Sequence, residues 1–543
     1  MAPICLLTIP EIPYYINSYL VQRDRLACVL VGKQWRQIFL PLLWRTVSFK
    51  SRSWPDQPLE ACADFEHAVQ ENGEFIRHLQ TFRLRELQFF LHHCHHLSSL
   101  SLRICSERDW PVVLGLVRNN PNLMSLSLTV MANYSPHLLD IFNNLPSLTT
   151  LDLTLEAIRQ GLTPNVLMHL LKSLRQLQRL SIRANATMPL EVVPHDLAEE
   201  NDRREHQEQT PFRYLRHLRL TMSGYHRSNL GYIVGLLKRC PSLETVQLPA
   251  LHRDRLDDIC LFFQHRNHHH HHHYHQHVLT SLDLSMLGYV FEDEALAKIL
   301  AQLQPHSLRH LSLQSTAVGE TTLDLLLRRF VSSLQTLDIS RSTVHLADPG
   351  RWIRAILTHG VELIEFKCGA RGEPLGAMVD LEVSPLLLHH RLPEEEEEGR
   401  KPSPSSSWWR CTKLQVLQIP LVGCRASPCT HNGACRTLQE QLYRQLGRLC
   451  DLRVLDLGIY MLPCSLLAES NCLEWSLAAG LEHLAGLRRL ETFCVVGTKH
   501  AITVEEVRWM RSHWPRLQKV VGLAYTEAAR WMESHWGSSI NIY

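Results

Sequence analysis

Residues 97–102 read LSSLSL, residues 123–128 read LMSLSL, residues 148–153 read LTTLDL and residues 177–182 read LQRLSI. In each block the last two apolar residues alternate with polar ones, which turns the apolar pair to one face of a short strand and the polar residues to the other. Further copies start at Leu215, Leu243, Leu279, Leu308, Leu334, Leu414 and Leu452, with looser ones at Leu363, Leu490 and Leu517. Many successive copies stand 25 to 29 residues apart. Between strands the apolar spacing becomes helical, as in Leu138, Leu139, Ile141, Phe142 and Leu145, and in Val166, Leu167, Leu170, Leu171 and Leu174. One strand and one helix cannot bury their apolar faces alone, so the units must stack.

The whole chain agrees with an extended array. Its 543 residues would otherwise make three or four domains of about 150 residues each. The formal net charge of +2 draws it neither to nucleic acid nor to an anionic membrane. Hydrophobic residues at 45% and charged residues at 20% are globular values, and no run of about 18 apolar residues spans a bilayer. The opening MAPICLLTIPEIP has no basic stretch, and Pro10 and Pro13 interrupt its apolar part, unlike a signal peptide. Sixteen scattered cysteines suit reduced thiols in a cytoplasmic or nuclear protein.

This spacing resembles leucine-rich repeats. The expected fold is α/β: an irregular leucine-rich-repeat horseshoe over residues 76–525, with parallel strands concave and helices convex. Three long intervals predict insertions at 185–211, 252–278 and 370–410. They contain the charged stretch Glu199–Gln209, the histidine-rich run Asn267–His277, and the acidic run Glu394–Glu398 beside KPSPSSS. Residues 526–543 are expected as a C-terminal tail.

The first 49 residues break the pattern and predict three short helices. Ile12, Ile16, Tyr19 and Leu20 share a helical stripe, and Thr8 with Glu11 has capping-box spacing. Asp24 is a good N-cap for a helix carrying Leu26, Val29 and Leu30, and a third helix holds Trp35, Ile38 and Phe39. So small a unit cannot bury that many large apolar groups, which predicts an interface on it. A connection over 50–75 would join it to the repeats.

The blocks IPEIPYYINSYL, RDRLACVLVGKQW and PLLWRTVSF resemble an F-box. The matching positions are Ile9, Pro10, Glu11, Ile12; Tyr19, Leu20; Asp24, Leu26; Val31, Lys33, Trp35; and Leu43, Trp44, Arg45. Arg25 stands where leucine is usual, and Pro13 falls inside the first helix. The resemblance implies a substrate receptor of an SCF (Skp, cullin, F-box) ubiquitin ligase. A Skp-type adaptor, and through it a cullin, would be held by Ile9, Pro10, Ile12, Ile16, Leu20, Leu26, Val31 and Trp35. A protein target would sit on the polar strand face, with no cofactor, nucleic acid or membrane involved. The alternative is a repeat scaffold or inhibitor without ligase association.

On that polar face Arg179, Arg183, His217 and Arg219 fall on two consecutive strands, suited to an acidic or phosphorylated peptide. No P-loop, GxSxG, HExxH or GxGxxG stands at a strand-to-helix junction, so the chain reads as a non-catalytic subunit. Cys424, Cys429, His431 and Cys435 are the residue types of a zinc site, but lack closely paired cysteines and read as loop thiols.

Overall fold

The computed structural model describes residues 11–49, 59–81, 84–131, 137–156, 170–184, 212–222, 236–237, 239–248, 256–268, 278–285, 292–345, 349–369, 381–382, 409–422, 432–458, 473–496, 502–523, 526–536 and 540–542. The chain divides into two units, Met1–Leu243 and Glu244–Tyr543.

The first unit opens with α1 (Glu11–Tyr19), α2 (Gln22–Val31) and α3 (Lys33–Trp44). Seven strands follow: β1 (Thr46–Ser48), β2 (His78–Thr81), β3 (Ser99–Ile104), β4 (Ser125–Val130), β5 (Thr150–Leu155), β6 (Arg179–Ala184) and β7 (His217–Met222). Each pairs in parallel with the next. Between strands run α4 (Leu59–Asn72), α5 (Leu84–Leu91), α6 (Trp110–Arg118) and α7 (His137–Asn143). The motif leucines align across strands, Leu100 beside Leu126, Leu151, Leu180 and Leu218, and all five are buried. Complete burial of one such side chain stabilises by about 1.5–3 kcal/mol, and in-register alignment repeats that gain at every strand.

The backbone explains why the repeat restarts so regularly. A turn closes the first leucine's N–H on the carbonyl three residues back, as in Leu123 to Asn120 at 3.1 Å and Leu148 to Leu145 at 3.2 Å. The next residue's carbonyl then accepts two consecutive amides from the following repeat: Ser98 receives Met124 and Ser125, both at 3.0 Å. One carbonyl per repeat therefore sets the register of the next strand.

The second unit continues the same construction with β8 (Thr245–Gln247), β9 (Ser281–Asp283), β10 (His310–Ser312), β11 (Ala317–Gly319), β12 (Thr336–Ser340), β13 (Thr343–His345), β14 (Glu365–Gly369), β15 (Leu381–Glu382), β16 (Val416–Gln418), β17 (Leu421–Val422), β18 (Val454–Asp456), β19 (Thr492–Cys494), β20 (Lys519–Val521) and β21 (Asn541–Ile542). The main parallel series is β8, β9, β10, β12, β14, β16, β18, β19, β20 and β21. Two side ladders join β11 to β13 and β15 to β17. The fold of each unit is an α/β leucine-rich repeat. None of the helices, among the described residues, is long and apolar enough to cross a membrane.

Three boundaries differ from the sequence expectations. The span 50–75 contains α4 and a short helical turn, Gly73–Phe75, and β1 on one side of it pairs with β2 on the other. The interval 252–278 holds the helix Leu256–His268. The expected tail forms another repeat, with helix Glu527–Trp536 and β21 paired to β20. Its helix duplicates the preceding one, Val504–His513: residues 508–514 read RWMRSHW and residues 530–536 read RWMESHW. In both, Trp509 and Trp531 stack on the histidine four residues on, at 4.5 and 4.1 Å. Arg508 of the first lies over Trp531 of the second at 5.6 Å.

Candidate docking surface

The helical module is short of partners for its apolar residues. Phe39 and Leu42 of α3 are buried, and Trp35 stacks on Phe39 with ring centroids 5.3 Å apart. None of the ten residues of α2 is buried. Leu26 and Leu30, one turn apart on that helix, are 50% and 76% exposed, and Val31 is 64% exposed. On α1 the corresponding pair is Tyr15 and Tyr19, 68% and 71% exposed, their rings edge to face at 5.2 Å. Of the twelve large apolar or aromatic side chains exposed among the described residues, seven lie between Tyr14 and Val31. Isolated exposed leucines are ordinary; here the exposed apolar side chains are concentrated in one small helical module.

The eight expected adaptor-binding residues therefore separate. Leu26 and Val31 face solvent. Ile12, Ile16, Leu20 and Trp35 are half-buried. Ile9 and Pro10 lie outside the described residues. The expectation did not include Tyr14, Tyr15, Val21 or Leu30; the Leu26–Leu30 spacing was the available signal for the last. Both departures from the F-box pattern have a local role. Pro13 sits in the first turn of α1, where a missing N–H costs no helical hydrogen bond. The Arg25 guanidinium donates to the Asn17 carbonyl at 3.2 Å, joining the Leu20 amide, also at 3.2 Å, on that last-turn oxygen of α1.

A second surface lies on the polar face of β6 and β7. Arg179 stands beside His217 and Arg183 beside Thr221, while Arg219 stands beside Ser181, midway between the two β6 arginines. All three arginines are exposed and His217 is half-buried. The structure thus brings the four expected residues onto one patch. By contrast, the polar residues of β3 and β4 are serines and threonines apart from Arg103, whose Nη2 lies 3.4 Å from Glu156 Oε2.

In the second unit, equivalent polar positions are spent on the backbone. Asp283, Asp338 and Asp456 accept the amides two residues on, Ser285 at 2.9 Å, Ser340 at 3.0 Å and Gly458 at 3.1 Å. These turns end the strands and offer little to a partner.

Of the four candidate zinc ligands, Cys424, Cys429 and His431 lie outside the described residues, as does the side chain of Cys435. So do the charged stretch 199–209, most of the histidine run and the acidic run 394–398. Burial pushes the thiols of Cys94, Cys368 and Cys411 up to about 12, which leaves them protonated and unreactive at neutral pH.

No family model and no curated protein matches this chain. Among solved structures, it is similar to Rad7 in the yeast Rad7 and Elc1 complex, at 14% identity and a TM-score of 0.39, covering 100% of this chain and 98% of that one. It is similar to the mouse RP105/MD-1 complex structure at 14% identity and a TM-score of 0.37, covering 84% and 68% of the two chains. The TLR13–ssRNA13 complex structure gives 15% identity and a TM-score of 0.35, covering 82% and 61%. The assignment of the fold rests on the strand ladders and their buried leucines.

Proposed function

We propose that this chain is the substrate-recognition subunit of an SCF-type ubiquitin ligase: its helical module docks a Skp-type adaptor and its repeats hold the target protein. The observation that carries this reading is the solvent-facing apolar surface of α1 and α2, on a module whose residues also resemble an F-box. Burying Leu26, Leu30 and Val31 against an adaptor would contribute at most about 1.5–3 kcal/mol per side chain toward offsetting the cost of association. The chain supplies no nucleophile in this reading. It raises the effective concentration of target lysines near a ubiquitin-loaded enzyme recruited by other subunits.

The test is co-purification of the full chain with a Skp-type adaptor and a cullin. Leu26→Asp and Leu30→Asp should each reduce adaptor capture by at least about tenfold, because each would place a charge in a desolvated interface. Their melting temperatures should stay near that of the parent, since both side chains are exposed. Failure of the unmodified chain to capture adaptor and cullin would overturn the reading.

A further inference from the structure

Five residues ending in the first leucine lead into each strand, and in the second unit their charge changes along the array. Residues 304–308 read QPHSL, 330–334 read FVSSL and 359–363 read HGVEL, with no lysine or arginine and one acid, Glu362. Residues 410–414 read RCTKL, 448–452 read RLCDL, 486–490 read GLRRL and 513–517 read HWPRL, with six lysines or arginines and one acid, Asp451. All six cations are exposed. Lys413 meets Glu362 at 2.6 Å and Arg489 meets Asp451 at 2.7 Å. Arg410, Arg488 and Arg516 have no ion-pair or side-chain hydrogen-bond partner among the described residues. The net charge of +2 is an average over the whole chain and hides this row.

The backbone sets the four turns in line. The Gln415 carbonyl accepts from the amides of Arg453 and Val454, that of Arg453 from Glu491 and Thr492, and that of Glu491 from Gln518 and Lys519, at 2.7 to 3.0 Å. β16, β18, β19 and β20 therefore enter the sheet side by side from one edge. At about 4.8 Å per strand the row of turns runs about 14 Å. Rings stand at its end. His513 belongs to the last turn and stacks on Trp509, and His535 stacks on Trp531 in the same way one repeat on. Ser512 Oγ and the Trp509 carbonyl meet His513 Nδ1 at 2.8 and 2.9 Å; Ser534 Oγ and the Trp531 carbonyl meet His535 Nδ1 at 2.7 and 3.0 Å. Both imidazoles are thus oriented in advance, His513 half-buried and His535 exposed.

We infer that this edge of the second unit binds single-stranded nucleic acid, with phosphates along the row of guanidiniums and bases against the tryptophan–histidine stacks. A row of cations ending in fixed rings supplies both contacts that a single strand offers, a charged backbone and free base faces. A duplex keeps its bases stacked on one another and has no free face for the rings. An acidic protein segment would satisfy the cations but make no use of the rings. An anionic membrane calls for apolar anchors beside the cations, and none of the large apolar side chains exposed among the described residues lies in these turns. The inference is independent of the ligase reading, which concerns the helical module of the first unit.

The test is fluorescence anisotropy of a labelled mixed-sequence single-stranded oligonucleotide titrated with the full chain over a range of salt concentrations, beside the matching duplex, labelled polyglutamate and phosphatidylserine vesicles. The single strand should bind at least about fivefold more tightly than the duplex. Arg410→Gln, Arg488→Gln and Arg516→Gln should each weaken it about three- to tenfold and reduce the steepness of log K against log salt by about 0.7. His513→Ala and His535→Ala should each weaken it at least about fivefold with the salt slope unchanged, and His535→Tyr, which keeps a ring, should restore most of the loss. Arg118→Gln, an exposed change in the first unit, should alter neither quantity. Melting temperatures equal to the parent's verify that the variants fold. No binding of the single strand at low salt, or affinity unchanged in the three arginine variants, would overturn the inference. So would duplex, polyglutamate or vesicles binding as tightly as the single strand.

Discussion

Asp293 shows how much one side chain can hold in a stacked array. It opens the helix Asp293–Ala301, yet its carboxylate caps the next helix, Glu320–Arg329, accepting from the amides of Gly319 at 2.8 Å, Thr321 at 2.8 Å and Thr322 at 3.0 Å. Burial raises its pKa, but the hydrogen bonds from Thr322, Thr321 and Gly319 more than offset that and hold the carboxyl below its usual range. The folded state therefore gains stability from this group above the usual carboxylate pKa, and that contribution disappears as pH falls through the depressed folded value. Asp293→Ala should lower stability by about 1–3 kcal/mol at neutral pH. In urea melts the difference between parent and variant should shrink on acidification; a constant difference down to the lowest folded pH would contradict the assignment. No sequence pattern announces this cap, because donor and acceptor lie a whole repeat apart.

At the scale of elements, the strands were legible wherever leucine marked both inward positions and obscure where it did not. β1 offers only Val47, β2 places Thr81 at the third core position, and β21 has Ile542 without a preceding leucine block. The same limit applies to the helical module. Apolar spacing identifies the inner stripe of each helix, but not how far each residue of it is covered, so nothing in the pattern separates Leu26, which stays exposed, from Trp35, which stacks on Phe39 one turn along α3. Arg25 belongs to the same scale, since its value is to the end of α1. Arg25→Ala should cost about 1 kcal/mol of local stability. Hydrogen exchange should report it as faster exchange of α1 amides with the repeats unchanged; uniform acceleration throughout the first unit would mean that Arg25 supports the fold more widely.

For the molecule as a whole, the repeats beyond the expected boundary matter most. Deleting the residues after Leu523 would remove the helix that lies under Arg508 and strip β20 of one of its two partner strands, leaving it at the edge beside β19. An unpaired edge invites pairing with another chain, so the truncated protein should melt at lower temperature and self-associate in light scattering. A monomer of unchanged stability would show that the last repeat is dispensable. The polar face of the strands was readable residue by residue, since strand alternation names it, whereas the register that sets Arg219 between Arg179 and Arg183 depended on pairing across the 185–211 interval. That interval and the one at 370–410 differ in length and composition, yet β6 meets β7, and β14 meets β16, without a slipped residue. Strand alignment is thus indifferent to how much polypeptide is paid out between rungs. An affinity handle or fluorescent reporter spliced into the 185–211 interval would ride along without disturbing the scaffold, giving a way to watch the intact protein at work.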